Sequence, residues 1–355
     1  MADDLTFDLC DTSSAVAPPE WQAVIDAVHL HQLWQWSVVR AARAETGSAQ
    51  LAGVFCAGGR PIGLATARLH GLGRRRPLAG LVDVDCVGTG SLPGIALPGV
   101  VSGSLDPSGV DPELLAAALH AFEGALRREF GWRVPAVAYR QVHGRELSVV
   151  ARGATAIREG ASIGVLRNVF ADYEAYARSL ARDRRKSQRR LVRSIDADPR
   201  VTVYLGPAAG AGLDPVELHA LIDATDRRNH RARWPPPRLE SRDRVAAVLR
   251  LPDTVVGSYT DPDGRLIAAN ITFDHPLAPI IGAWGARPLG PDTGRRSGLW
   301  FDHYDRILRW CIEAKRPLMI GGKTLAGLKA ELGLTPVPQW TVVRRLGVPS
   351  GRGRR

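Results

Sequence analysis

The stretch from Pro279 to Leu346 constrains this chain more than any other. It opens on an apolar run that fits a strand, Pro279 to Arg287, passes through the loop PLGPDTGRRSG and enters an amphipathic helix from Leu299 to Arg316. A short apolar strand (PLMIGG), a short helix (TLAGLKAELG) and a last strand (QWTVVRRL) follow. A Gly- and Arg-rich loop running straight into a helix offers unpaired backbone N–H groups, two guanidinium groups and the positive end of the helix dipole. Together these seat a phosphorylated or otherwise anionic group.

The residues before this stretch extend the same alternation. Val201 to Leu205 reads as a strand, Asp214 to Arg228 as a helix capped by Asp214 ahead of Pro215, and Glu240 to Leu251 as a second helix. Val255 to Tyr259 and Arg265 to Phe273 form a hairpin across DPDG. From Val201 onward the order is β–α–α–β–β–β–α–β–α–β. The first half is similar but looser. After a lead of disordered composition come a helix (Trp21 to Ala44), a hairpin (Leu51 to Cys56 and Pro61 to Leu69), a basic turn (GLGRRRP) and a strand (Leu78 to Val87). A Gly/Pro-rich piece precedes a helix over Asp111 to Arg128 with Leu114, Leu115, Leu119, Phe122 and Leu126 on one face. Val134 to Tyr139 and Ala154 to Val165 close this half as strands.

Between the halves, Phe170 to Arg193 reads as one helix with an unusual polar face. Arg182, Arg185, Arg189 and Arg193 fall on one stripe, and Lys186 and Arg190 widen it. Like charges at this spacing repel by a few tenths of a kcal/mol per pair, about 0.2–0.5, so a polyanion that neutralises them explains the stripe better than solvent does. The 355 residues carry a formal charge of +11, which points the same way, towards nucleic acid, a nucleotide-linked substrate or an anionic membrane surface. The 4 cysteines are scattered without a CxxC pair, and no apolar run approaches the roughly 20 residues that span a bilayer. With an acidic N-terminus unlike a signal peptide, the expected compartment is the cytoplasm. No metal-ligand spacing and no Ser/His/Asp order rises above chance, and GGKT lacks the upstream Gly of a P-loop.

The order of elements, with an anion-accepting loop between the fourth strand and the third helix, resembles the GNAT acyltransferase fold. Two copies in one chain, bridged near a basic helix, resemble the Fem-type (FemAB-like) tandem GNAT proteins. HQLWQWSVVRAARAE ahead of a hairpin is similar to the first helix of that group. LWFDHYDRILRWCIEAKRPLMIGGKTLAGLKAELG is similar to its C-terminal pattern of helix, apolar strand, Gly, and Lys three residues short of a Gly. The resemblance implies an α/β fold with mixed sheets in two GNAT-like domains. The boundaries read from the sequence are residues 1–168, a basic helical linker at 169–199, and residues 200–355 as the active half. It also implies amide-bond formation: an amine attacks an activated acyl carbonyl with no permanently bound cofactor.

The donor divides the resemblance. Ordinary GNAT enzymes hold the pyrophosphate of acyl-CoA on an R/Q-x-x-G-x-G/A loop, whereas Fem-type proteins take the acyl group from aminoacyl-tRNA. Here Arg295 and Gly298 match that loop, but Trp300 stands where a small residue belongs. Aminoacyl-tRNA is therefore the expected donor and tRNA the expected partner, with a small amine or cell-wall-like acceptor. An acyl-CoA donor is the alternative, and a non-catalytic nucleic-acid-binding module a second one. Lys329, which matches the Lys of the Fem-type pattern, is the first catalytic candidate, followed by His303 as a general base and Tyr304. Arg295, Arg296, Gly298 and Lys323 are the anion- and donor-binding candidates. Arg182, Arg185, Lys186, Arg189, Arg190 and Arg193 are the tRNA-binding face, and Trp284, Asn270 and Asp274 the acceptor pocket.

Overall fold

A computed structural model describes residues 4–42, 49–70, 80–86, 93–98, 111–230, 241–290, 293–323 and 325–347. In chain order the first elements are β1 (Leu5–Cys10), α1 (Pro19–Val28), α2 (Trp36–Ala41), β2 (Ala49–Ala57), β3 (Arg60–His70), β4 (Leu81–Val84) and β5 (Ile95–Ala96). They continue with α3 (Pro112–Phe130), β6 (Ala136–His143), α4 (Gly144–Val150) and β7 (Ala154–Glu159). The remainder runs β8 (Ile163–Arg167), α5 (Tyr173–Ser179), α6 (Arg182–Asp196), β9 (Thr202–Pro207), α7 (Pro215–His230), α8 (Arg242–Leu249), β10 (Thr254–Thr260), β11 (Leu266–Phe273) and β12 (Ile280–Ala286). It ends with α9 (Leu299–Glu313), β13 (Leu318–Ile320), α10 (Ala326–Glu331), β14 (Thr335–Val337) and β15 (Gln339–Arg345).

The chain forms two compact units, one of residues 1–162 with 337–355 and one of Ile163–Pro336. The first has a mixed sheet ordered β1-β2-β3-β4-β6-β15-β7, with β5 on β3. The second has a sheet ordered β14-β8-β13-β12-β11-β10-β9. These boundaries differ from those read in the sequence in two ways. The last strand, QWTVVRRL, pairs with β6 and β7 of the first unit and not with the half that precedes it. The run Ala154 to Val165, expected as one strand, breaks at residues 160–162 into β7 and β8, which lie in different sheets. The basic segment is no linker. α5 and α6 belong to the second unit, where Tyr173 and Gln188 donate hydrogen bonds to the buried Asp305 of α9.

Other differences are local. The acidic lead forms β1, because Phe7 turns inward onto Phe55 and Phe122 with ring centroids 4.7 and 5.2 Å away. The first helix is interrupted at His29, whose backbone is left-handed (φ 52°). The basic helix is split by the extended Leu180 and Ala181. α4 and β14 were not foreseen. The basic turn at 71–77 and most of the Gly/Pro-rich piece after β4 lie outside the described residues.

The amphipathic helices bury the faces their periodicity marks. In α3, Leu114, Leu115, Leu119, Phe122 and Leu126 are all buried, and Asp111 caps the helix by accepting from the Glu113 N–H at 2.8 Å. In α9, Leu299, Ile307, Leu308, Cys311 and Ile312 are buried against the second sheet and its flanking helices. Among the described residues no helix is long and apolar enough to cross a membrane.

Candidate functional site

The site begins where two parallel strands part. β12 and β13 share the register pair Ile280↔Ile320, with the Leu318 and Ile320 N–H groups donating to Leu277 and Pro279 at 3.1 and 2.8 Å. β13 then ends while β12 continues. β12 carries a bulge on its other side: Thr272 faces Ile281 and Asn270 faces Trp284, so Gly282 and Ala283 oppose Ile271 alone. A bulge increases local twist and orphans backbone groups. Asn270, completely buried, repairs one of these by donating its amide to the Ala283 carbonyl at 3.1 Å, while its own oxygen accepts from Thr272 Oγ1 at 2.6 Å. Gly282 is needed there, since a Cβ would sit 2.8 Å from the Ile271 carbonyl oxygen.

The first unit has the same kind of parallel pairing, between β4 and β6. β4 and β6 stay in register from Leu81↔Ala136 to Val84↔Tyr139. Beyond that, Arg140 ties the strands with ion pairs to Asp83 at 3.6 Å and Asp85 at 3.8 Å. A wedge between strands leaves main-chain groups that an extended ligand can pair with.

Aromatic rings from α9 and β12 pack together beside these strands. His303 stacks on Trp284 with centroids 4.2 Å apart, and Trp300 stacks on Tyr304 at 5.0 Å. Tyr304 is almost wholly buried and donates its hydroxyl to the Gly321 carbonyl at 3.0 Å, pinning α9 to the chain leaving β13. Burial raises its pKa, so this phenol remains a proton donor in a fixed bond. Burial also lowers the His303 pKa to about 3, with nearby backbone carbonyls opposing and the Lys329 charge adding to the shift. His303 is therefore the neutral imidazole at neutral pH, far too weak a base to deprotonate an amine efficiently.

Lys329 is the exception in this apolar setting. It lies on α10 and is only 3% exposed, with its ammonium 6.0 Å from the centroid of the Tyr304 ring. Its stem passes Gly164 and its tip passes Gly322, where added Cβ atoms would lie 3.2 and 3.6 Å away. No carboxylate or other acceptor pairs with it among the described residues. Burial alone lowers its pKa to about 8. A buried ammonium without a partner is costly to the fold, and such groups concentrate at functional sites.

The remaining candidates separate. Gly298 starts α9 with a left-handed backbone (φ 86°), and a Cβ there would come 2.5 Å from Leu191 of α6. Gly298→Ala is expected to destabilise the second unit by about 1–3 kcal/mol, read as a lower urea midpoint. Arg296 is neutralised by Asp198 at 2.8 Å, whereas Arg295 donates to the Arg287 carbonyl at 2.6 Å and leaves its Nε buried without a partner. Lys323 is half-buried in the turn after β13. Asp274 lies at the other end of β11, paired with Arg316 at 2.6 Å, and Asn270 is consumed by the bulge. Asp274 thus lies away from the wedge, and Trp284 packs on His303 and Tyr259.

On α6, Arg182, Lys186, Arg189, Arg190 and Arg193 are exposed and Arg185 is half-buried. Arg189 pairs with Glu174, and Arg185 donates to the Arg178 carbonyl at 3.2 Å. Arg182, Lys186, Arg190 and Arg193 have no partner among the described residues. The opposite face docks on α9, with Gln188 donating to Asp305 at 2.9 Å and Arg184 lying 4.8 Å from the Phe301 ring centroid. Sequence reasoning missed Arg228 of α7, whose guanidinium donates to the Ala286 carbonyl at the end of β12; an arginine on a helix carries no signal of that bond.

No family model and no curated protein matches the sequence. Solved structures do. FemX matches with a TM-score of 0.56 and 10% identity, over 94% of this chain and 96% of that one. L-PGS from Bacillus licheniformis matches with a TM-score of 0.52 and 9% identity, over 95% and 93% of the two chains. A tandem GNAT protein from the clavulanic acid biosynthesis pathway matches with a TM-score of 0.50 and 13% identity, over 97% and 99%. The chain has the tandem GNAT fold of mixed sheets and helices, and its resemblance to the Fem-type proteins extends over nearly its whole length.

Proposed function

We propose that the protein is a GNAT-fold aminoacyltransferase that moves an aminoacyl group from aminoacyl-tRNA to an amine acceptor in the wedge of the second unit. The observation that carries this reading is Lys329, a buried cation without a partner beside an opened strand edge. The acceptor amine attacks the ester carbonyl and forms a C–N bond. Charge develops on the carbonyl oxygen, and the Lys329 ammonium stabilises it where little water competes. The C–O bond to the ribose then breaks, and the proton lost by the amine nitrogen goes to the departing ribose oxygen. His303 and Trp284 shape and dry the cavity, and Tyr304 fixes its wall. Lys329 must be protonated, so transfer falls as the pH rises through about 8. The similarity to FemX and L-PGS supports an acyl-transfer reading of the fold.

Two features favour tRNA over acyl-CoA. The four unpaired cations of α6 face outward from a helix packed directly on α9. The arginine next to Arg295 in the loop is already spent on Asp198. The test is a salt titration of binding to bulk aminoacyl-tRNA. The wild type is expected to bind with a steep dependence on salt. Replacing Arg182, Lys186, Arg190 and Arg193 with glutamine is expected to lower the slope of log K against log salt by about 1 per contact removed. An unchanged slope contradicts a tRNA role for α6. The second reading, an acyl-CoA donor, rests on Arg295, which has no carboxylate partner among the described residues and whose Nε is unpaired. It predicts a stabilising thermal shift with CoA that tRNA does not alter.

A further inference from the structure

Arg184 stands in the first turn of α6, on the face opposite the exposed cations. It shares that inward face with Gln188, one turn on, which bonds Asp305 of α9. The Arg184 guanidinium carbon lies 4.8 Å from the centre of the Phe301 ring on α9, and Nη1 lies 3.8 Å from the Glu331 carboxylate on α10. Nε and Nη2 are buried and have no hydrogen-bond partner among the described residues. These two atoms form the side edge of the guanidinium, whose parallel N–H bonds match two oxygens of one oxyanion. The edge best shaped for an oxyanion is therefore the one left without an acceptor. Packing on Phe301 does not account for it, because an apolar side chain of like length would cover the ring without stranding two donors. Nor does Glu331, whose side chain is 63% exposed and whose contact with Nη1 is too long for a hydrogen bond.

The three helices around Arg184 all belong to the second unit. Arg182, Lys186, Arg190 and Arg193 line the outward face of α6, and this stripe ends at Arg182, in the same turn as Arg184. Glu331, which Nη1 faces, follows Lys329 by two residues on α10. A row of cations along one helix fits successive phosphates of a nucleic-acid backbone. Just round the helix from the end of that row is Arg184, beside the helix that carries Lys329. A base-paired stem is too broad to enter among three packed helices, whereas an unpaired strand can follow that path. We propose that Arg184, through Nε and Nη2, binds a backbone phosphate of the unpaired 3′ end of the donor RNA as that end leaves the stripe for α10. This assignment rests on the aminoacyl-tRNA reading of the donor. Phe301 holds the guanidinium plane by cation–π contact. Because the edge is shielded in the free protein, the phosphate enters with a side-chain movement, in which the like-charged Glu331 swings out to solvent.

The probes are deacylated tRNA and the same tRNA trimmed of its unpaired 3′ nucleotides, each titrated with the full chain and followed by fluorescence anisotropy. The wild type is expected to bind the intact RNA more tightly than the trimmed one. Arg184→Gln is expected to bind intact tRNA about tenfold more weakly, as charge-assisted bonds to phosphate are lost, and to lower its salt slope by about 1. Its affinity for trimmed tRNA stays at the wild-type level, so the variant no longer tells the two apart. Glutamine at the exposed cations of α6 weakens both RNAs alike. Glu331→Gln, which removes a negative charge from beside the incoming phosphate, is expected to tighten binding of intact tRNA alone. A purely structural Arg184 gives a different pattern: Arg184→Gln melts at a lower temperature yet still prefers intact tRNA as the wild type does, and that result overturns the proposal while leaving the tRNA donor standing. Equal loss of affinity for both RNAs overturns it too, since Arg184 is then one more contact to the paired stem. A wild type that binds neither RNA sinks the donor reading together with the proposal. Loss of CoA binding in Arg184→Gln, with tRNA binding intact, assigns the phosphate to CoA and overturns the RNA assignment.

Discussion

Lys329→Met is expected to abolish transfer while making the protein more stable. Methionine matches the lysine stem in volume and removes an ammonium that is buried with no partner. The lowering of the Lys329 pKa from 10.5 to about 8 means that the folded state disfavours the charge. A tenfold change in proton affinity corresponds to about 1.4 kcal/mol, and with partial solvent screening the gain at pH 7 is about 1–3 kcal/mol. For a unit of this size that raises the melting temperature by about 2–4 °C per kcal/mol. The sign follows from proton counting. Between pH 8 and 10.5 the unfolded chain binds more protons at this lysine than the folded one, so wild-type stability rises with pH across that window. Lys329→Met is flat there, its advantage full below pH 8 and gone above 10.5. The rate should fall by about 10²–10³, the usual effect of removing one oxyanion-stabilising group. Greater stability with lost activity identifies a residue kept for chemistry.

Truncation after Pro336 is expected to unfold the first unit and spare the second. β15 is an interior strand, paired with β6 on one side and β7 on the other, so its removal opens two edges at once. It also strips Arg344 from Glu123, which is 2% exposed and held by Arg344 Nε at 3.0 Å, Tyr139 Oη at 2.9 Å and Arg127 at 3.4 Å. Removing one partner of a buried ion pair costs about 3–5 kcal/mol, a large share of the total stability of a domain. Arg344→Met is the point test, expected to lose about that amount by urea denaturation. Adding Glu123→Gln should recover much of it, since the stranded charge is then gone. Retention of the first unit's unfolding transition after truncation would show that β15 is dispensable there.

Where sequence reasoning reached and where it stopped follows from what determines each feature. The helix around Leu119 and Phe122, the hairpin β10–β11, and the succession β12, loop, α9 were legible because local periodicity and turn chemistry decide them. The destination of QWTVVRRL was not, because an alternating strand carries no label for the sheet it joins. The run Ala154 to Val165 misled for the same reason: it is continuously strand-like, and only the pairing of its ends with different sheets divides it. At the site, Lys329 was reached by family pattern, but its burial was invisible on a short helix with a polar neighbourhood in sequence. His303 was marked for its ordinary pKa, which the stacked Trp284 and the closed surroundings remove. Arg296 looked equivalent to Arg295 until Asp198 claimed it. Such differences come from partners distant in sequence, for which no local spacing speaks.

The most direct test incubates the full chain with bulk aminoacyl-tRNA and a panel of primary amines, and measures amide product and released tRNA by mass spectrometry. A parallel reaction uses acetyl-CoA, and both are repeated with Lys329→Met. The account predicts amide formed at the expense of aminoacyl-tRNA, suppressed by salt and lost in the variant. Amide formed from acetyl-CoA alone, or formed equally well without Lys329, would contradict it.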